Sequence, residues 1–226
     1  MHVLARWMTR CAFAGLGVSC GTAHAQGWTH PVAGTTEPIP PRDTSNFGAA
    51  RGQGDRPEEC EKGHCGIDLY GARGLPIVAF ASGWIALLSQ EANGPSGRRV
   101  VVAHPGGAMT HYLHLDMIRP DLLVGRWVES GEWIGALGMT GIHHSPAHLH
   151  FGLSVNSGGE RVFIDPRPFL LIARTIDGPP AVSCSVAPAI SRPLPPALAQ
   201  RSKLDLEKAR KRAGRRRESA AMREAE

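Results

Sequence analysis

Short apolar runs punctuated by glycine dominate the middle of the chain. Ile77-Val78-Ala79-Phe80, Trp84-Ile85-Ala86-Leu87-Leu88, Val100-Val101-Val102-Ala103 and the stretch from His148 to Val155 are of strand length, with Gly residues every few positions between them. Runs of that length bounded by turn formers predict a meander of short strands joined by tight turns. No long stretch between Asp43 and Leu171 carries an amphipathic repeat of helical period. The pattern therefore predicts one mainly β domain over residues 43–171, large enough to bury a core of its own.

The flanks read differently. Residues 26–42 (QGWTHPVAGTTEPIPPR) follow no period of strand or helix and predict an extended linker. Past Ile172 the pattern dissolves again, with repeated prolines marking a second linker over 172–196. Residues 197–226 hold good helix formers and acid–base pairs at helical spacing, interrupted by Gly214 and with little apolar surface. They predict a solvated, partly helical tail.

At the N-terminus, Arg6 and Arg10 precede the apolar run Cys11–Cys20, and Ala23-His24-Ala25 follows with small residues where a signal peptidase reads. Residues 1–25 are thus expected to be a secretory signal peptide, cut between Ala25 and Gln26. The run is far shorter than the roughly 20 residues a membrane span needs. A lipoprotein signal modified at Cys20 would want Leu where Gly17 stands. An exported protein, in the periplasm or outside the cell, with no transmembrane segment in the mature chain, is the expectation.

Export changes the reading of the cysteines. Cys60, Cys65 and Cys184 remain after Cys11 and Cys20 leave with the signal, in a compartment where disulfides persist. The close spacing of Cys60 and Cys65 points to a local disulfide bracketing His64. Charge adds little about the fold. Residues 201–226 hold ten Lys/Arg against five Asp/Glu, which accounts for the whole formal net charge of +5. The basic tail suits anionic cell-envelope polymers rather than a specific nucleic-acid partner.

Candidate chemistry lies in the histidines, of which there are eleven, seven of them between His104 and His150. His64-Cys65-Gly66-Ile67-Asp68 places an imidazole and a carboxylate four residues apart, on one side of either a strand or a helix. His148-Leu149-His150-Phe151 on a strand sends both imidazoles to one face. Thr110-His111-Tyr112-Leu113-His114-Leu115 supplies two more. His64, Asp68 and one later histidine would make a site of two imidazoles and one carboxylate, the composition of a catalytic zinc site with an open position. No H-E-x-x-H occurs, so other histidines would have to serve as acid and base.

The central segment resembles the lysostaphin/LytM-type peptidoglycan metallopeptidases, metallopeptidase family twenty-three. Ser45-Asn46-Phe47-Gly48 with Arg51 is similar to the family's domain opening, and His64-x-Gly66-Ile67-Asp68 to its first metal motif. Tyr112-Leu113-His114-Leu115, the glycine-spaced stretch from Gly125 to Gly141, His148-Leu149-His150-Phe151 and Asp165-Pro166 follow in the family's order. The resemblance implies the duplicated hybrid motif fold, an antiparallel β-sheet domain with an open substrate groove. It implies zinc held by His64, Asp68 and His150, with His114 and His148 sharing catalysis. It also implies hydrolysis of peptide bonds in peptidoglycan stems or cross-links. Family members that lose the metal residues act instead as activators of other cell-wall hydrolases, whereas all five positions are filled here. Gly152 departs from the Glu common after H-L-H-F. His143 and His144 are expected as exposed loop residues, His104 and His111 as structural ones.

Overall fold

A computed structural model of the chain describes residues 27–40, 43–50 and 63–177. Ten strands follow in order: β1 (Ile67–Tyr70), β2 (Pro76–Val78), β3 (Gly83–Ser89), β4 (Arg98–Ala103), β5 (Met109–Leu115), β6 (Met117–Ile118), β7 (Trp127–Val128), β8 (Trp133–Ala136), β9 (His148–Ser157) and β10 (Glu160–Ile164). A single helical turn, α1 (Arg167–Leu170), follows Pro166. The mainly β architecture expected from the apolar runs is what the described residues adopt, and its strands run antiparallel as the resemblance implies.

Seven strands make the larger sheet in the order β1-β9-β5-β4-β3-β7, with β10 also pairing β9, and β2-β8-β6 make a smaller one. Every strand pair in both is antiparallel. One core joins the two sheets. Alternation along the larger sheet sends Ile67, Leu69, Ile85, Val100, Val102, Tyr112, Leu149 and Phe151 inward, where they meet Ile77, Ile118 and Ile134 of the smaller sheet. The Tyr112 hydroxyl lies within this core and is satisfied there, accepting from the Phe80 amide (2.8 Å) and from Thr110 Oγ1 (3.0 Å). Since Ile67, Leu69, Leu149 and Phe151 face inward, Asp68, His148 and His150 necessarily face the other way. That alternation positions the site.

Part of the stretch expected as a linker, 26–42, lies against the smaller sheet. Residues 29–34 lie along the smaller sheet: Val32 bridges Ile77, the Val78 amide donates to the Pro31 carbonyl, and the Ala33 amide donates to Pro76. Thr29, His30, Val32 and Ala33 are buried. Trp28 stacks on Phe80 with ring centroids 5.8 Å apart and meets Phe169 edge-on at 5.1 Å. The start of the second linker, 172–196, is tied down as well, because Thr29 bridges Arg174 and the Gly34 amide donates to Ile176. Two lone apolar residues and a free strand edge are enough to dock such a segment. Neither leaves a periodic signature, and the contacts of the described residues reach beyond 43 and 171 at both ends. The expected signal peptide at 1–25, the rest of the Pro-rich stretch and the tail over 197–226 lie outside the described residues.

Candidate metal centre

Asp68 and His150 stand directly opposite each other where β1 pairs with β9. His64 arrives from the loop before β1, its amide donating to Ala49 and its carbonyl accepting from Gly48. Gly66 lets that loop close onto β9. A Cβ there would lie 2.6 Å from the Phe151 carbonyl and 2.7 Å from His150 Nε2, so a backbone this near the imidazole requires glycine.

Three donor atoms converge as a result. His64 Nε2 lies 2.9 Å from Asp68 Oδ1 and 3.0 Å from His150 Nδ1, and His150 Nδ1 lies 3.2 Å from Asp68 Oδ1. All three residues are buried. His64 Nδ1–H donates to the Asn46 carbonyl at 2.9 Å, so in the neutral ring Nε2 presents a lone pair to the cluster. Two imidazole nitrogens and a carboxylate oxygen that all face one point cannot satisfy one another by hydrogen bonds alone. A cation of borderline softness meets all three demands, and the donor set fits zinc.

Electrostatics favour an ionised Asp68 carboxylate beside a neutral His150. Burial would raise the Asp68 carboxyl, but its close contacts with His150 and His64 outweigh it and hold the group well below the usual carboxylate range. Burial pushes His150 down to about 4, against the pull of Asp68.

Two further histidines flank the cluster. His148 sits two residues before His150 on the same face of β9. Its Nδ1–H donates to the Pro146 carbonyl at 2.9 Å, and its Nε2 lies 3.6 Å from Asp68 Oδ1. His114 comes from β5 by a distortion. Between the pairs Arg98↔Leu115 and Val100↔Tyr112, β5 carries one residue more than β4. Within that bulge His114 adopts φ 66°, left-handed backbone that costs a non-glycine residue on the order of 1 kcal/mol. The bulge re-aims the side chain. Regular alternation from Tyr112 would have sent it into the core, whereas its ring lies 5.1 Å from that of His148 and 6.0 Å from that of His150. Burial, then the proximity of His148 and His150, pushes His114 down to about 3. All five residues singled out in the sequence are therefore brought together.

Other expectations sort cleanly. His104 bonds Ser82 and Thr110, and His111 bonds Ser154 Oγ; neither belongs to the three-residue cluster. His143 and His144 are exposed. A Cβ on Gly152 would sit close against the Phe163 ring, at 3.3 Å, and touch His111 at 3.4 Å. Cys65 is disulfide-bonded; its expected partner Cys60 lies outside the described residues, as does Cys184. Residues that sequence reasoning missed hold the histidines in place. Asn46, Pro146 and Thr140 act through backbone carbonyls, which no side-chain pattern announces. Tyr70, with its ring 5.5 Å from that of His148 and its hydroxyl accepting from Ser45 Oγ at 3.0 Å, was findable. It lies two residues past Asp68 on the same strand face.

Residues 62–163 match the sequence model of peptidase family M23. Lysostaphin of Staphylococcus simulans is 32% identical over 127 residues, covering 56% of this chain and 25% of that protein. The crystallised catalytic domain of lysostaphin from the same organism is 30% identical, with 56% of this chain and 89% of that one covered at a TM-score of 0.45. The murein hydrolase activator NlpD of Salmonella typhimurium is 29% identical over 133 residues, covering 56% of this chain and 31% of the activator. The chain thus spans a quarter to under a third of the length of these two curated relatives.

Proposed function

Because the chain belongs to peptidase family M23, we propose that it is an exported zinc metalloendopeptidase that hydrolyses peptide bonds in peptidoglycan stems or cross-links. The observation that carries the reading is the buried cluster of His64, Asp68 and His150, flanked by two histidines whose Nδ1 atoms are tied to carbonyls. His64, Asp68 and His150 would hold the ion. Zinc, when bound, supplies Lewis acidity and a water acidified to a pKa near 7.

The flanking histidines do the proton work. With Nδ1–H donating to Pro146, His148 offers Nε2 as the basic nitrogen, facing the cluster. His114 has the same arrangement through Thr140. One Nε2 takes a proton from the attacking water. That same ring, now protonated, stabilises the oxyanion of the scissile carbonyl and passes the proton to the leaving amine as the C–N bond breaks, so that both rings end neutral. Burial keeps His114 neutral, as a base must be before it acts.

Residues 1–25 would direct export, so that the chemistry takes place in the periplasm or outside the cell. The tail over 197–226 would hold anionic envelope polymers. The likeness to NlpD prompts a second reading, a binding module that activates another cell-wall hydrolase. The complete site argues for the enzyme. Incubating the purified chain with defined cross-linked muropeptides, and reading products by mass spectrometry, separates the two. The enzyme releases peptide fragments, stops on chelation and resumes with added zinc. Zinc-loaded protein that releases nothing, yet stimulates a partner amidase, would establish the activator instead.

A further inference from the structure

Thr140 lies in the turn between β8 and β9, and its side chain and backbone face three different partners. Its hydroxyl donates to the Leu115 carbonyl at 2.8 Å and accepts from the Arg98 amide at 2.9 Å. Those two residues end β5 and begin β4, and they are the pair that closes the β5 bulge. Its own carbonyl, meanwhile, accepts from His114 Nδ1 at 2.9 Å. One residue thus grips both strands beside the distortion and fixes the ring which that distortion presents.

The surrounding backbone is built around this contact. A Cβ on Gly97, at φ 56°, would lie 2.1 Å from the Thr140 carbonyl oxygen and 2.5 Å from its hydroxyl. A Cβ on Gly141, at φ 73°, would lie 2.2 Å from the Gly94 carbonyl. The turns 94–97 and 138–141 therefore meet backbone to backbone, in a space only glycine allows. From the other side the His114 amide donates to Ser96 at 3.2 Å, and the Met139 amide donates to Asp116 Oδ1 at 3.3 Å. The carbonyl of Thr140 cannot shift unless these contacts break.

We propose that Thr140 is the positioning residue for His114: its hydroxyl clamps the two strand ends so that its carbonyl fixes the imidazole as the Nδ1–H tautomer, with Nε2 turned to the metal cluster. This rests on the peptidase reading for its effect on turnover, but the tautomer itself can be observed without turnover. Fixing the ring's tautomer through the nitrogen remote from the chemistry is how a base is kept competent and oriented. Thr140 touches no substrate atom in this scheme and acts through His114.

The test uses the full chain. In the wild type, nitrogen chemical shifts of the 15N-labelled His114 ring should report Nδ1 protonated and Nε2 bare, with a slowly exchanging Nδ1 proton. Thr140→Val keeps the shape and deletes both hydroxyl bonds. It should lower kcat at least about tenfold, with KM and zinc content near those of the wild type, and should mix the tautomers or speed exchange of that proton. Thr140→Ser keeps both bonds and should restore the wild-type ring signals and most of kcat. A wild-type ring carrying its proton on Nε2 overturns the proposal, even if Thr140→Val fails to fold. So does a folded Thr140→Val that keeps both kcat and the protected Nδ1 proton. Wild-type protein that shows the expected tautomer yet cleaves no muropeptide would remove the peptidase reading while leaving the clamp in place.

Discussion

His148 and His150 stand two residues apart on one face of one strand, yet their surroundings differ. His150 Nδ1 is within 3.2 Å of both other donor atoms of the cluster, while His148 turns Nδ1 away to Pro146. Replacing each by alanine should therefore give distinguishable defects. His148→Ala should keep zinc and lose about 10²- to 10⁴-fold in kcat, the range for removing a general acid or base. His150→Ala should lose zinc affinity and turnover together, since a three-ligand site has none to spare. Metal analysis alongside steady-state rates checks this, and a fully active His148→Ala would refute the assigned roles. At this scale the sequence was most informative where side chains bear the chemistry. His64, Asp68, His114, His148 and His150 were all visible as motif positions. The carbonyls of Asn46, Pro146 and Thr140 were invisible, because any residue type can supply a carbonyl and only the fold decides where it points.

Strands and their ends explain which parts of the architecture could be read in advance. β4, β5 and β9 are continuous apolar or alternating runs and announce themselves. The β5 bulge does not, because one inserted residue leaves the composition of Thr110–Leu115 looking like any buried strand. The segment 27–40 fails for the opposite reason: Pro31, Gly34 and Pro38 break every period, while Trp28 and Val32 make contacts with Phe80, Phe169 and Ile77 that only the tertiary fold reveals. That packing should be measurable. Deleting residues 1–34 exposes Phe80 and the β2 edge, forfeits the burial of Val32 and removes the ring contacts of the half-exposed Trp28. It should lower unfolding stability by about 2 kcal/mol or more, a fully buried apolar side chain such as Val32 being worth roughly 1.5 to 3 kcal/mol. Urea unfolding of the shortened chain checks this, and an unchanged midpoint would restore the segment to the status of a linker.

The molecule as a whole should be sensitive to acid before any carboxylate titrates. Burial holds His111 well below its ordinary 6.5 and lowers His30 and His104 in the same direction. Unfolding frees these rings to take protons near 6.5, so below that pH the unfolded chain binds more protons than the folded one. Stability should therefore be complete above about 6.5 and decline as pH falls beneath it. Asp68, Asp121 and Asp165, all held below their usual 3.8, add a second decline beneath that value. Urea midpoints of chelator-treated protein, followed from about pH 7 to about 4.5, should fall steadily. His111→Gln should flatten the curve, and a midpoint constant over that range would contradict the burial argument.

The pairing of β1 with β9 has a consequence in time as well as in space. His64 and Asp68 are separated from His150 by 86 and 82 positions, and β1 sits at the end of the main strand path with β9 beside it. Contacts between such distant parts of a chain are slow to form, because the intervening loop must be closed before they repay its entropy. A chain emerging from its N-terminus thus holds two of the three donors early and cannot complete the triad until β9 is made and has threaded between β1 and β5. If the cluster takes zinc as proposed, its capture during refolding should accordingly trail sheet formation, and zinc uptake would then be a clock for the last step of folding.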